Sequence, residues 1–386
     1  MFKFDPFSRE VDANPYPLYK RLRDDFPCYW SEDAGCWALS RYADIVAANQ
    51  DWQSFSSAKG NMLDDIPERT GVTLGTSDPP RHDQMRNLIQ SAFAKRNIEH
   101  LVAPATSIAD EMIDHFIDAG RFEFIADFSS PLTVGVLSYV LGIPHDQYET
   151  LRRHVVLILQ TDPETRKKTQ ASMDAFTWLK DYTAAQLEDR RKHPGDDLLS
   201  LLIAAEIEGQ KLTEREIHMI SLTLIMAGVE SASSFMAMMA LNLADYPDVR
   251  RRVVADPKLL ATAMEESLRF NTSAQRFRRT ATRDVELHGQ TIHAGDKVLM
   301  CYGSGNRDER QFLNPDTYDI DRGPIRHLGL GTGKHFCVGV PIARLLVLAG
   351  MERLLKRIPE YHRTGDTLDW IPSTTFRSPV ALGFEF

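Results

Sequence analysis

The stretch from Thr213 to Asp245 constrains this chain most. It holds no proline and keeps apolar residues on every side of its second half, through about nine turns at ~3.6 residues per turn. It opens on Leu212-Thr213-Glu214-Arg215-Glu216, where Thr213 and Glu216 have the spacing of a capping box. A helix of that kind must be buried along much of its length. Other helices have to surround it, and the remaining sequence supplies them.

Helical periodicity is predicted over Asn14 to Asp25, Tyr42 to Asn49, Ile98 to Ala119, Ser130 to Leu141 and roughly Asp146 to His193, with breaks at Pro144 and around Thr161-Asp162-Pro163. Pro257 to Phe270 and Ala343 to Lys356 read the same way. Strand character is confined to Cys36–Ser40 and to Arg279–Met300, where turns fall at His288-Gly289 and Ala294-Gly295. Asp51 to Ser77 reads as a long loop that can serve a function. The expected fold is therefore mainly α with a small β portion, in one domain spanning residues 1–386, since no low-complexity linker divides it.

Chemistry concentrates in His327-Leu-Gly-Leu-Gly-Thr-Gly-Lys-His-Phe-Cys337-Val-Gly-Val-Pro-Ile-Ala-Arg344. Gly329, Gly331, Gly333 and Gly339 let the loop curl and turn its amides toward Cys337. Pro341 starts a helix just downstream, so the sulfur also lies near a positive dipole end, and both effects favour a thiolate. No second cysteine stands nearby, which argues against zinc knuckles and iron–sulfur clusters. One thiolate on a glycine loop suits axial ligation of heme.

Elsewhere, His82 and Arg86 lie four apart on a helix begun by Asp78-Pro79-Pro80 and can face one carboxylate-bearing ligand. In the long apolar helix, Ala227 and Gly228 are small enough to leave room for dioxygen, and the adjacent acid and alcohol Glu230 and Ser231 can relay protons. Glu266 and Arg269, three apart, can form an ion pair.

Taken together, Gly331-x-Gly333-x-His335-x-Cys337-x-Gly339 followed by Ala343-Arg344 resembles the heme-binding signature of the cytochrome P450 superfamily, in its bacterial, soluble branch. The resemblance implies the P450 fold, with the long central helix crossing heme b, and Cys337 as iron ligand. It implies that His82, Arg86, Arg279 and His335 bind the heme propionates. It places Glu230 and Ser231 in an oxygen-binding groove, and Glu266 and Arg269 in a structural ion pair under the proximal loop. Asp51–Ser77, the break near Pro163, Ser273–Gln275 and Thr374–Phe376 correspond to segments that cover or touch substrate. Three positions depart from the pattern. Leu330 replaces an aromatic residue, Ser231-Ala232 replaces two threonines, and Thr317 replaces the Arg or His that completes the ion pair, leaving Arg322 to substitute.

The implied activity is monooxygenation by O2, hydroxylating or oxidatively dealkylating a small apolar organic substrate, with electrons from NAD(P)H through a reductase and ferredoxin. Lys334, Arg81, Lys95 and Arg344 form the expected docking patch for that acidic donor. Ser231-Ala232 also motivates a hydrogen-peroxide-using peroxygenase, and a non-enzymatic heme sensor is the remaining reading. A net charge of −9 gives no general basic surface, so nucleic acid is not an expected partner. The amino terminus lacks the apolar run of a signal peptide, and no stretch of about 20 apolar residues is evident. Cys28, Cys36, Cys301 and Cys337 show no disulfide pattern. A cytoplasmic protein without membrane contact is expected.

Overall fold

A computed structural model describes residues 2–93, 98–207 and 210–386. Its axis is the helix Glu214–Asp245, whose amino end is closed as expected: the Thr213 hydroxyl accepts from the Glu216 amide at 3.2 Å and Glu216 Oε2 accepts from the Thr213 amide at 2.9 Å. Ser130–Leu141, Tyr148–Leu159, Gln170–Lys192, Leu260–Phe270 and Val340–Arg357 pack around it. Val102–Phe116 adds a further layer against Val340–Arg357. The predicted helix over residues 98–119 is shorter, because its two ends tighten into 3₁₀ turns at Glu99–Leu101 and Ile117–Ala119.

The β portion is small and sits to one side. Its main sheet runs in the order Cys28–Ser31, Cys36–Leu39, Lys297–Cys301, Arg276–Ala281, Phe55–Ser56. Lys297–Cys301 is parallel to Cys36–Leu39 and antiparallel to Arg276–Ala281. A second sheet joins His362–Arg363, Gly383–Glu385 and Arg121–Glu123. The His288-Gly289 turn closes a hairpin with φ of 52° and 75°, the left-handed pair that a tight two-residue connection requires. Asp51–Ser77 is largely irregular, with only a two-residue strand and two 3₁₀ turns.

The membrane expectation needs one correction. Phe124–Leu141 and Glu214–Asp245 do reach the length and mean hydropathy of membrane-crossing helices. However, 72% and 78% of those stretches are buried against the rest of the protein. Their apolar faces are covered by neighbouring helices, which is why the sequence could spare so many polar residues there.

Candidate active site

The glycine loop is shaped by backbone bonds before any side chain contributes. The Gly331 amide donates to Leu328 O at 2.8 Å, the Phe336 amide to Gly333 O at 3.1 Å and the Cys337 amide to Leu330 O at 2.9 Å. Gly331 and Gly333 have φ of 73° and 69°, open to glycine at little cost. At Gly333 a Cβ would also stand 2.5 Å from Asn49 O, so the loop is seated directly on the end of the Tyr42–Gln50 helix. Beyond Cys337, the Gly339 and Val340 amides donate to the sulfur.

Cys337 is surrounded by protein, yet its side chain remains accessible. The thiol itself differs from the sequence expectation. Burial pushes it up, and the two amides and the nearby Arg86 pull it down only in part. The protein groups alone therefore favour the protonated form, whereas coordination to a metal removes a thiol proton outright.

Four cationic or basic side chains converge beside the loop. The His82 and His335 rings lie 4.4 Å apart, and Arg279 and Arg86 both act electrostatically on His335. Burial, helped by Arg279, His82 and Arg86, pushes the His335 imidazole down to about 2, and its Nε2 meets Ser57 Oγ at 3.0 Å. Arg86 donates to Phe336 O at 2.7 Å and Lys334 O at 3.2 Å. Arg279, 4% exposed, donates to Asn49 Oδ1 at 3.1 Å and Arg278 O at 2.9 Å. Neither guanidinium has a carboxylate partner among the described residues. His82 Nδ1 meets Asp83 at 2.9 Å, while its buried Nε2 has no hydrogen-bond partner. Unbalanced positive charge and an orphaned nitrogen in one place fit an anionic ligand. Ser57 and Asn49 were not singled out from sequence, since only the fold brings them to His335 and Arg279.

Behind the loop, Glu266 and Arg269 form a fully buried bidentate pair at 2.7 and 2.8 Å. Arg322 fills the place left by Thr317, donating to Glu266 Oε1 at 3.0 Å. Thr317 contributes through its backbone: its carbonyl accepts from both Arg269 and Arg322 at 3.0 Å. Arg269 also reaches Asn306 O at 2.9 Å and Pro315 O at 2.8 Å.

On the central helix, Ala227 is exposed in the middle of an otherwise buried run, so no neighbouring element covers it. Gly228 behaves differently from the expectation. A Cβ there would stand 2.9 Å from Leu137 Cδ1, so the missing side chain admits the Ser130–Leu141 helix rather than leaving room for a small ligand. The Ser231 hydroxyl donates to Ala227 O one turn back. Glu230, 2% exposed, turns to another face of the helix, where Oε1 accepts from Ser234 Oγ at 2.7 Å. The acid and alcohol are adjacent in sequence but are not hydrogen-bonded to each other.

Comparison with known proteins decides the family. The family model for cytochrome P450 matches residues 19–358. The chain belongs to the cytochrome P450 family. Among curated relatives, the P450 is 32% identical to nocardicin C N-oxygenase of Nocardia uniformis, covering 98% of this chain and 97% of that one. It is 33% identical to cyclomarin C epoxidase CymV of Salinispora arenicola, covering 95% and 94%. The crystal structure of CYP109E1 from Bacillus megaterium in complex with testosterone superposes at a TM-score of 0.90, with 28% identity over 98% of this chain and 99% of that one. The protein is thus a P450 monooxygenase, a heme-thiolate enzyme with heme b as cofactor. The open-facing sulfur under two amides and the counter-ion-free guanidinium groups fit that cofactor's metal and carboxylates.

In this P450, one buried carboxylate joins three segments of the chain. Asp64, in the irregular stretch after Asp51, pairs with Lys168 at 2.7 Å, their side chains 4% and 8% exposed. It also accepts from Thr161 Oγ1, and from Thr374 Oγ1 at 2.9 Å. The Thr161 amide adds a bond to Pro372 O at 2.9 Å. Burial alone would push the Asp64 carboxyl up, but Lys168 and the two hydroxyls hold it below the usual carboxylate range. A lowered folded-state pKa means that the clamp stabilises fully above the unfolded carboxylate value of ~3.9 and weakens as pH falls through the folded value. Asp64→Asn is expected to destabilise the P450 by about 3 kcal/mol at neutral pH by leaving Lys168 buried without a counter-charge. The difference in unfolding midpoint from wild type should narrow in acid, and a pH-independent difference would contradict the ion-pair account.

The expected docking cations are not free. Arg81 binds Glu216 at 2.8 Å, Lys334 binds Asp83 at 2.7 Å and Arg344 binds Glu265 at 2.8 and 3.0 Å. Lys95 lies outside the described residues. The local positive excess read from sequence is therefore offset at each described position by a carboxylate that only the fold brings near.

Proposed function

We propose that Cys337 would supply the thiolate that holds heme b and that the enzyme uses O2 to hydroxylate or oxidatively dealkylate a small, largely apolar substrate. The observation that carries this reading is the Cys337 sulfur, reached by the Gly339 and Val340 amides and left accessible although protein surrounds it. Bound heme supplies oxygen activation by two successive one-electron reductions. Arg86, Arg279, His82 and His335 would hold its propionates, the left-handed backbone at Gly331 shapes the loop, and Gly339 gives the sulfur its amide. Glu266 and Arg269 brace that loop from behind. The family match over residues 19–358, and the pairing of Gly383–Glu385 with Arg121–Glu123, support one domain for residues 1–386.

The distal roles fall to Ala227, Glu230 and Ser231, while Gly228 acts through helix packing. Ala227 leaves room beside the helix, Ser231 presents a hydroxyl there, and Glu230 supplies the proton store. The relatives named as a nocardicin C N-oxygenase and a cyclomarin C epoxidase support an organic molecule as substrate class. Screening such compounds for the high-spin shift of the ferric protein tests this, and no shift with any of them would remove the support.

Ser231→Ala is expected to raise peroxide release per NADH consumed severalfold, because a positioned proton-transfer group contributes about 10²- to 10⁴-fold. Unchanged coupling would show that Ser231 is not in the relay. Peroxide-driven turnover matching the reductase-supported rate would instead favour the peroxygenase reading.

The electron donor is proposed to be a ferredoxin reduced by an NAD(P)H-dependent reductase, which places the enzyme in the cytoplasm. The exposed pairs of Lys334 and Arg344 are weak and can exchange partners. First-electron transfer should therefore slow with ionic strength, though less than for a bare cationic patch. A rate independent of salt would rule these residues out as docking groups.

A further inference from the structure

The acid on the central helix is fixed by a residue from a distant segment. Ser234, one turn beyond Glu230, gives its hydroxyl to Oε1 at 2.7 Å, and Ser234 Oγ lies 2.8 Å from Ser378 Oγ, on the stretch after Thr374–Phe376. All three side chains are buried, at 2%, 1% and 3% exposure. Glu230 Oε2 is buried with no hydrogen-bond partner among the described residues.

A serine hydroxyl carries one proton to donate. The geometry makes Ser234 the donor in both contacts, while Ser378 Oγ reaches Pro379 O at 3.5 Å, so the single Ser234 proton lies between Oε1 and Ser378 Oγ. Ser378 thereby holds the Ser234 hydroxyl beside Oε1, and Oε1 is committed as an acceptor. Oε2 is left as the oxygen that takes up and releases a proton. We propose that Ser378 is a positioning residue for Glu230, fixing through Ser234 which carboxyl oxygen exchanges protons with the active site. This rests on the reading of Glu230 as the proton store.

The surroundings agree. From the Tyr148–Leu159 helix, Arg152 is the charged group that faces Glu230 among the described residues; the central helix contributes Ser234, and the carboxy-terminal segment Ser378. Burial pushes the Glu230 carboxyl up, so it holds its proton to higher pH than an ordinary carboxyl, while Ser234, Arg152 and Ser378 each moderate that rise. The unpartnered Nε of Arg152 is also buried. Arg152 Nε and Glu230 Oε2 are thus both buried without hydrogen-bond partners among the described residues, and Oε2 is the carboxyl oxygen left open to exchange.

The test uses the holoenzyme and two readouts. The first is the carboxyl stretch of Glu230 in infrared difference spectra of the carbonyl complex, assigned by its disappearance in Glu230→Gln. The second is the pH profile of coupled product formation. Removing the Ser378 hydroxyl removes one group that favours the carboxylate. In Ser378→Ala the band should therefore shift in frequency and titrate at higher pH, with a severalfold fall in kcat at unchanged KM. Ser378→Thr, which keeps the hydroxyl, should restore both. Ser234→Ala, which breaks the same chain, is the second variant should Ser378→Ala not accumulate. An unmoved band and profile in Ser378→Ala, with Glu230→Gln impaired, would overturn the positioning role and leave the proton store intact. Unchanged coupling in Glu230→Gln would overturn the proton store, and Ser378 with it.

Discussion

Cys337→Ser is expected to abolish the red-shifted Soret band of the reduced carbonyl complex and to bring monooxygenation to background. The loop would still form, because its bends rest on Gly331, Gly333 and backbone bonds that serine does not touch. The loss would instead come from the ligand. A serine oxygen is smaller, gives up its proton far less readily and donates less electron density than sulfur, so the amides of Gly339 and Val340 would cradle a neutral hydroxyl. Folding should be nearly preserved, which can be read from the unfolding midpoint alongside the spectrum. Persistence of the band would refute Cys337 as the axial ligand. The structure adds that burial keeps the thiol protonated, so cofactor loading should release a proton and become tighter as pH rises.

The second large effect is structural. Glu266→Gln should cost about 3–5 kcal/mol, the usual penalty for breaking a buried ion pair from one side. That is a large part of a typical total stability of roughly 5–15 kcal/mol. Glu266 accepts from Arg269 twice, from Arg322 at 3.0 Å and from the Asp319 amide at 2.9 Å, so one neutralisation leaves two guanidinium groups without their counter-charge. The variant should accumulate poorly and retain little heme. Arg322→Ala should be milder, about 1–2 kcal/mol, because Arg269 still satisfies the carboxylate and the Arg322 side chain is partly exposed. Comparing the unfolding midpoints of the two variants checks the ranking, and equal losses would contradict it.

Local chemistry is what made parts of this fold legible. The capping box at Thr213, the left-handed turn at His288-Gly289 and the glycine loop each depend on residues within a few positions of one another. The family signature carried the rest of the site. What escaped depends on pairing across the chain. Asp64 meets Lys168, Thr161 and Thr374, and nothing near Asp64 in sequence marks it as a buried anion. Gly228 looked like empty space because its occupant, Leu137, comes from another helix. The docking cations looked free for the same reason, since Arg81 finds Glu216 only after folding. At Cys337 the sequence shows the amides and the dipole that lower the thiol but not the burial that raises it.

The brace behind the cysteine loop also bears on how this sequence can change over time. Within it, Arg269 and Arg322 grip a separate loop, Leu313–Thr317, by the carbonyl oxygens of Leu313, Asn314, Pro315 and Thr317, not by their side chains. A carbonyl is the same whatever residue carries it. Most replacements in this loop should therefore be silent, Asn314 excepted, whose φ of 47° resists branched residues. Inserting or deleting one residue would instead shift every carbonyl out of reach. The loop is free in its spelling and fixed in its length.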